Sequence, residues 1–321
     1  MPSPPPAFGS QGYWNHRFAA NSTPFEWLEA PTALDPFITD ALKYTDEHRP
    51  ELLHVGCGTS LLSFHLRVHV DDPQQIHNLD YSEVAIDVGK KRESEICGID
   101  EEHKHQDTTN IATTKADIMA ISSINKSTKE HDRPRTSLAV NTHQQFRHMR
   151  WDAVDLLSHR SLLGACNSST YSVIVDKSTS DSIACADDVD VPLPYPIGIR
   201  PEVPIKLDLE RSGPLHPLYI MAVHLALVIR PRGRWISLSY SQGRYPFVNV
   251  FEKVSQDVID NGFPDPGLLW KVVGKHEIDV PEQQLPNANN GDSITHRPKT
   301  MHWVYVLERT DVPLFVRGSH I

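Results

Sequence analysis

The first residues whose type and spacing could do chemistry are the two glycines of His54-Val-Gly-Cys-Gly-Thr-Ser60. Gly56 and Gly58 carry no Cβ, so backbone there can approach a ligand closely and enter turns closed to other residues. The loop is not a dinucleotide fingerprint, because Leu61 stands where a third Gly or Ala is needed, and no Lys is placed for a phosphate-binding loop. Asp80 follows 22 residues after Gly58, where a carboxylate can accept from both hydroxyls of a ribose. The same carboxylate could instead cap the turn before Ser82. Tyr81 could stack on a base or fill a half-buried turn. Further acids stand at Asp152, Asp155 and Asp176, and His103-Lys-His105 is a polar pair without a cage of metal ligands.

These residues need elements to position them. Glu51–Val55, Gln75–Leu79, Phe146–Asp152 and Tyr171–Val175 read as short buried strands, each ending near one of the glycines or acids. Between them lie helical patterns over Leu61–Val68 and after Ser82, the latter carrying Lys90-Lys91-Arg92 near its expected C-terminus. Phe37–Tyr44, Leu218–Ile229 and Val248–Asn261 predict helices, with Pro231 stopping the second. Arg234–Ser239, Leu268–Val273 and His302–Leu307 predict three more strands, the last two as an antiparallel hairpin. Strand-helix alternation implies an α/β doubly wound seven-stranded sheet, mostly parallel, whose ligand site lies at the C-terminal strand ends. A glycine turn, an acid ending the next strand and an acid near the third together describe an adenosine site without phosphate, which points to S-adenosylmethionine.

Composition bounds the rest. The chain has 321 residues and a net charge of −10, which argues against nucleic-acid binding through bulk charge. No apolar run approaches a membrane span, and Met1-Pro-Ser-Pro-Pro-Pro lacks the parts of a signal peptide. Four cysteines without CxxC spacing fit free thiols, so cytoplasm or nucleus is the expected compartment. The expectation is a single domain over 1–321 with a tail at 1–7 and two polar or Pro-rich insertions. The first, at 97–145, reads as disordered, with a short helix at Ile118–Ile124; the second spans 187–217, and a polar loop covers Glu282–Asp292.

Several segments also resemble a known family. Tyr13-Trp14-x-x-Arg17-Phe18, Phe25-Glu26-Trp27, Val55-Gly-Cys-Gly-Thr-Ser60, Leu79-Asp-Tyr-Ser-Glu-Val84, Arg150-Trp-Asp-x-x-Asp155, Val175-Asp-Lys-Ser-Thr-x-Asp181 and Pro231-Arg-Gly-Arg234 occur in the order of the class I S-adenosylmethionine-dependent methyltransferases. The chain looks most similar to the methyltransferase-like group that includes the lysine methyltransferases of elongation factor 1A. The resemblance implies a Rossmann-like methyltransferase fold. It implies that Trp14, Phe18 and Trp27 close over the cofactor and that Arg17 pairs with its carboxylate. Gly56, Cys57 and Gly58 would form the cofactor loop, with Asp80 and Tyr81 at ribose and adenine. Asp155 and Leu156 would flank the adenine, unless Asp152 takes that place.

Asp176 and Lys177 match the acidic residue and lysine beside the transferable methyl, and Asp181 or Tyr195 could help orient an acceptor amine. The chain departs from the family's Lys-Gly-Thr-Leu-Asp: Ser178 replaces Gly and Ser180 replaces Leu. The implied activity is methyl transfer to a protein lysine or a small molecule, with no metal and no membrane partner. Those serines and the insertions motivate the alternative of a catalytically silent cofactor-binding interaction module.

Overall fold

A computed structural model describes residues 6–102, 147–200, 211–248, 254–280 and 300–317. Two helices come first, α1 (Gln11–Ala20) and α2 (Asp35–Thr45). Alternation then begins with β1 (Leu52–Val55), α3 (Leu62–His65), β2 (Ile76–Asp80), α4 (Glu83–Glu102), β3 (Arg150–Ala153), α5 (His159–Ala165), β4 (Tyr171–Lys177) and α6 (Thr179–Ile183). Three short strands follow, β5 (Val189–Leu193), β6 (Ile197–Gly198) and β7 (Arg211–Leu215). The chain continues through α7 (Pro217–Val228), β8 (Ile229–Ser239), α8 (Gln256–Asp260), α9 (Pro266–Leu269), β9 (Trp270–Asp279), β10 (Met301–Arg309) and β11 (Phe315–Val316).

Seven strands form one sheet in the order β3-β2-β1-β4-β8-β10-β9. Parallel pairing runs from β3 through β8, and β10 is antiparallel to both of its neighbours. The expected antiparallel pair at one edge is present, with the last strand inserted between β8 and β9. From β1 the chain winds outward to β2 and β3, then returns to β4 on the other side of β1. That reversal opens a crevice beyond the C-terminal ends of β1 and β4.

Strand side chains alternate between two apolar layers. Leu53, Ile174 and Trp235 join α7 on one face, while Leu52, Val173, Val175 and Ile236 pack with α2 and α3 on the other. Helix α7 is apolar on every side and buried throughout except Tyr219, which requires cover on its outer face too. Val191, Leu193, Tyr195, Ile197 and Leu215 from the Pro-rich segment supply part of it. Among the described residues, no helix is long and apolar enough to cross a membrane.

Several sequence expectations shift. Helix α4 continues to Glu102, so Lys90-Lys91-Arg92 lies within the helix rather than at its end. Arg92 donates to the carbonyls of Thr59 (3.0 Å) and Ser22 (2.9 Å), joining the glycine loop to the N-terminal segment. The Pro-rich segment is not only extended chain: β5 and β7 pair as an antiparallel ribbon, and α7 starts on Pro217, a favoured first position. Pro231 lies inside β8, after α7 has ended at Val228. The third strand starts at Arg150, and the described helix near Val248–Asn261 is Gln256–Asp260. Most of the 97–145 insertion, with Ile118–Ile124, and the Glu282–Asp292 loop lie outside the described residues.

Candidate functional site

At the end of β1, Gly56 and Gly58 have φ of +58° and +50°. A Cβ on Gly56 would stand 2.1 Å from the Thr179 hydroxyl, so this glycine also lets α6 approach the loop. The Cys57 amide donates to the carbonyl of Leu79 (2.9 Å), and the Gly58 amide donates to the Asp80 carboxylate (2.9 Å). Asp80 also accepts from the Ser82 amide at 2.9 Å, so turn-capping and a place on the site wall coincide in one side chain. Burial pushes its pKa up to about 6, and the amides of Ser82, Gly58 and Tyr81 oppose that rise. Burial also holds His54 down to about 3 and raises the Cys57 thiol, leaving both neutral.

Over this floor lies an aromatic roof. Trp14 and Phe18, one turn apart on α1, stack at 5.6 Å, and Trp27 and Phe8 pack edge-on. The Trp14 indole donates to the Phe8 carbonyl (2.6 Å) and to Ser182 Oγ (3.2 Å). Glu26 straps the roof down: it accepts from Ser60 Oγ (2.8 Å), the Leu61 amide (2.6 Å) and the Lys177 ammonium. Lys177 also reaches the carbonyls of Trp27 and Glu29 at 3.3 Å. Burial lowers its pKa and Glu26 works against that shift. The Arg17 guanidinium stacks over Phe25 (4.6 Å) and Trp27 (5.6 Å) and is not among the residues that line the wall.

The β4 end differs from expectation. Asp176 is fully buried and faces inward rather than onto the cleft wall. It accepts from the Thr179 amide (2.9 Å), Ser237 Oγ (3.1 Å) and Ser180 Oγ. It thereby caps α6. Asp181 is likewise sealed, paired with Arg244 (2.7 Å) and accepting from Ser239 Oγ (2.5 Å) and the Tyr240 amide (3.2 Å). Tyr195 is buried against His224 (2.7 Å), away from the wall. Asp176 finds inward partners both nearby, in Ser180, and across the sheet, in Ser237.

Ser178 takes the left-handed conformation that its replacement of Gly calls into question, with φ +66° and ψ 7°. Its hydroxyl is buried on the cleft wall without a hydrogen-bond partner.

The cleft measures about 950 Å³, counted out to open solvent. Trp14, Phe18, Trp27, Gly56, Cys57, Gly58, Asp80, Tyr81, Asp155, Leu156 and Lys177 all meet on its wall. Asp152 does not; its carboxylate is bonded to His77 Nε2 at 2.8 Å. Sequence reasoning passed over Glu26, Thr179 and Phe8 as site residues. An acid between two aromatics, Phe25-Glu26-Trp27, was the available signal for the first.

No family model matches the chain. It is similar to Methyltransferase srdJ of Neurospora crassa, 27% identical over 243 residues, covering 75% of this chain and 70% of that protein. The sheet order is that of a doubly wound α/β fold with an antiparallel edge pair. Solved structures with similarity include the N-methyltransferase NodS of Bradyrhizobium japonicum WM9 in complex with S-adenosyl-L-homocysteine. It is 12% identical, covers 95% of this chain and 99% of that chain, and has a TM-score of 0.43. Magnesium protoporphyrin IX methyltransferase from Synechocystis PCC 6803, with bound SAM, is 10% identical over 94% of this chain and 93% of that one, with a TM-score of 0.38. The cleft opens where the chain reverses between β1 and β4.

Proposed function

We propose that this protein is a methyltransferase that moves a methyl group from S-adenosylmethionine to an uncharged small molecule. The residues fit the cofactor. A glycine turn exposes backbone, a buried carboxylate ends β2, Asp155 and Leu156 follow β3, and the orphaned Ser178 hydroxyl offers an unused polar contact. S-adenosylmethionine supplies an electrophilic methyl on a sulfonium, which an acceptor lone pair displaces in line. Asp80 would hold the ribose hydroxyls, and Asp155 with Leu156 would flank the adenine. Trp14, Phe18 and Trp27 exclude water from the reacting atoms, which strengthens alignment as the source of rate.

The observation that carries the acceptor class is the inward turn of Asp176 and Asp181. A lysine acceptor arrives as an ammonium and must lose a proton before attack. Asp176 and Asp181, two of the groups that could orient such an amine, are bonded to α6 and Arg244. The cleft beside them presents Phe8, Trp14, Ile183 and Ala186 instead. This arrangement favours an apolar, neutral acceptor over the protein lysine implied by the elongation factor 1A resemblance.

Calorimetry with S-adenosylmethionine and its demethylated product, then transfer of a labelled methyl into fractionated cell extract, tests the reading. Label is expected in the small-molecule fraction. Label confined to protein would overturn the acceptor class, and tight cofactor binding without any labelled product would favour the silent interaction module.

A further inference from the structure

A second cluster lies away from the cleft, between the start of α2 and the turn that follows α3. His65-Leu-Arg-Val-His69 places two imidazoles four residues apart, a spacing used by zinc-binding histidine pairs. Both Nε2 atoms converge on one carboxylate oxygen of Asp35, at 2.7 Å from His65 and 2.9 Å from His69. One ligand atom from each residue lies within 4.8 Å of the other two. Ligand atoms about 2.0–2.1 Å from a tetrahedral zinc sit roughly 3.3 Å from one another, so the two Asp35 contacts would lengthen by roughly 0.4–0.6 Å to admit the ion. The side chains of His65 and His69 are only 8% and 9% exposed, while Asp35 is 34% exposed. The histidines are therefore held in place, and solvent can reach the carboxylate side to complete a fourth position.

We propose that Asp35, His65 and His69 bind a divalent transition-metal ion, with zinc as the best match to two imidazoles, one carboxylate and a water. The site is structural in position. Asp35 starts α2, one short helical turn (Pro31–Leu34) beyond the strap of residues 25–29, and His65 ends the helix that follows the glycine loop. An ion there ties the exit of the strap to the helix behind the loop. Leu34, Ile38, Leu62 and Leu66 pack beneath as a rigid floor.

The test uses the full-length protein, stripped with chelator and titrated with Co2+ as a spectroscopic probe and with Zn2+ by calorimetry. One equivalent should bind, with the ligand-field absorption of a low-coordinate cobalt site. His69→Gln should weaken binding by at least tenfold while leaving the circular dichroism unchanged. Failure of the unsubstituted protein to bind saturably would overturn the proposal. So would binding that is unaffected in His69→Gln and in Asp35→Asn. Should either variant fail to fold, X-ray absorption of the zinc-loaded unsubstituted protein still decides. Nitrogen and oxygen alone in the coordination shell support the site, and sulfur would place the ion on cysteine and overturn it.

Discussion

On the proposed function Asp80 has two tasks, and both call for the ionised carboxylate. Capping Gly58 and Ser82 needs acceptor oxygens, and so does holding two ribose hydroxyls, yet burial raises its pKa to about 6. Below that pH the carboxyl is protonated and loses an acceptor position. Cofactor binding to the ionised form must then first remove the proton. Affinity should be level above about pH 6 and fall by up to tenfold per unit below it, measured by calorimetry across pH. Asp80→Ala should weaken binding by about 1–3 kcal/mol and flatten this profile. An unchanged profile in the variant would assign the titration elsewhere. Ser178 permits a second check. A left-handed residue other than Gly costs about 1–2 kcal/mol, and Gly returns about 0.5–1 of that as lost backbone entropy. Ser178→Gly should therefore stabilise the protein by about 0.5–1 kcal/mol in urea unfolding. Gly56, Gly58, Asp80 and Asp155 were legible because the wall they form follows from turn chemistry and strand ends. Asp176 and Asp181 were not. Whether a strand-end acid faces the crevice or turns inward depends on Ser180, Ser237, Ser239 and Arg244, and most of these are distant in sequence.

At the scale of elements, the strap beside the cleft is tied down chiefly through one side chain. Glu26 holds residues 25–29 to both the glycine loop and the end of β4. Removing one partner of a fully buried pair costs about 3–5 kcal/mol. Glu26 is 25% exposed, so Glu26→Gln should cost less, roughly 1–3 kcal/mol. Its clearer signature is local: faster amide exchange in α1 and the strap, and faster cofactor release in stopped flow, with the central strands unchanged. Uniform loss of protection would instead make Glu26 a general structural residue. Elements with continuous apolar runs, such as β1, β4 and α7, were legible because burial on both sides leaves no other composition. The β5–β7 ribbon was hidden by Pro192 and Pro214, which read as chain breaks. They are tolerated because a two-stranded ribbon leaves edge positions that need no donor.

For the whole molecule, the alternation of strands and helices was enough to predict a parallel sheet with a crevice, because only a right-handed crossover packs each helix back onto the strands. The reversed place of β10 was not readable, since pairing between distant strands leaves no local pattern. The two insertions raise a question of the same scale: whether the chain needs them to be one domain. The described residues on either side of 103–146 already complete the sheet from β3 to β9 and the cleft wall. Arg147 and Met149 are held there by Asp72 (2.7 Å) and Glu93 (2.8 Å), so β3 is anchored where it enters the sheet. Replacing 103–146 with a Gly/Ser linker of a quarter of its length shortens the loop by two halvings. Were the segment a flexible loop, loop-closure entropy would favour the shortened protein by about 1.2 kcal/mol. The expected outcome is unfolding stability equal to or slightly above that of the full chain, with cofactor affinity within about threefold by calorimetry. Loss of the sheet's cooperative unfolding would show that 103–146 belongs to the domain core. Retained folding with lost methyl transfer would place its contribution at the acceptor, which is where insertions on a catalytic scaffold most often act.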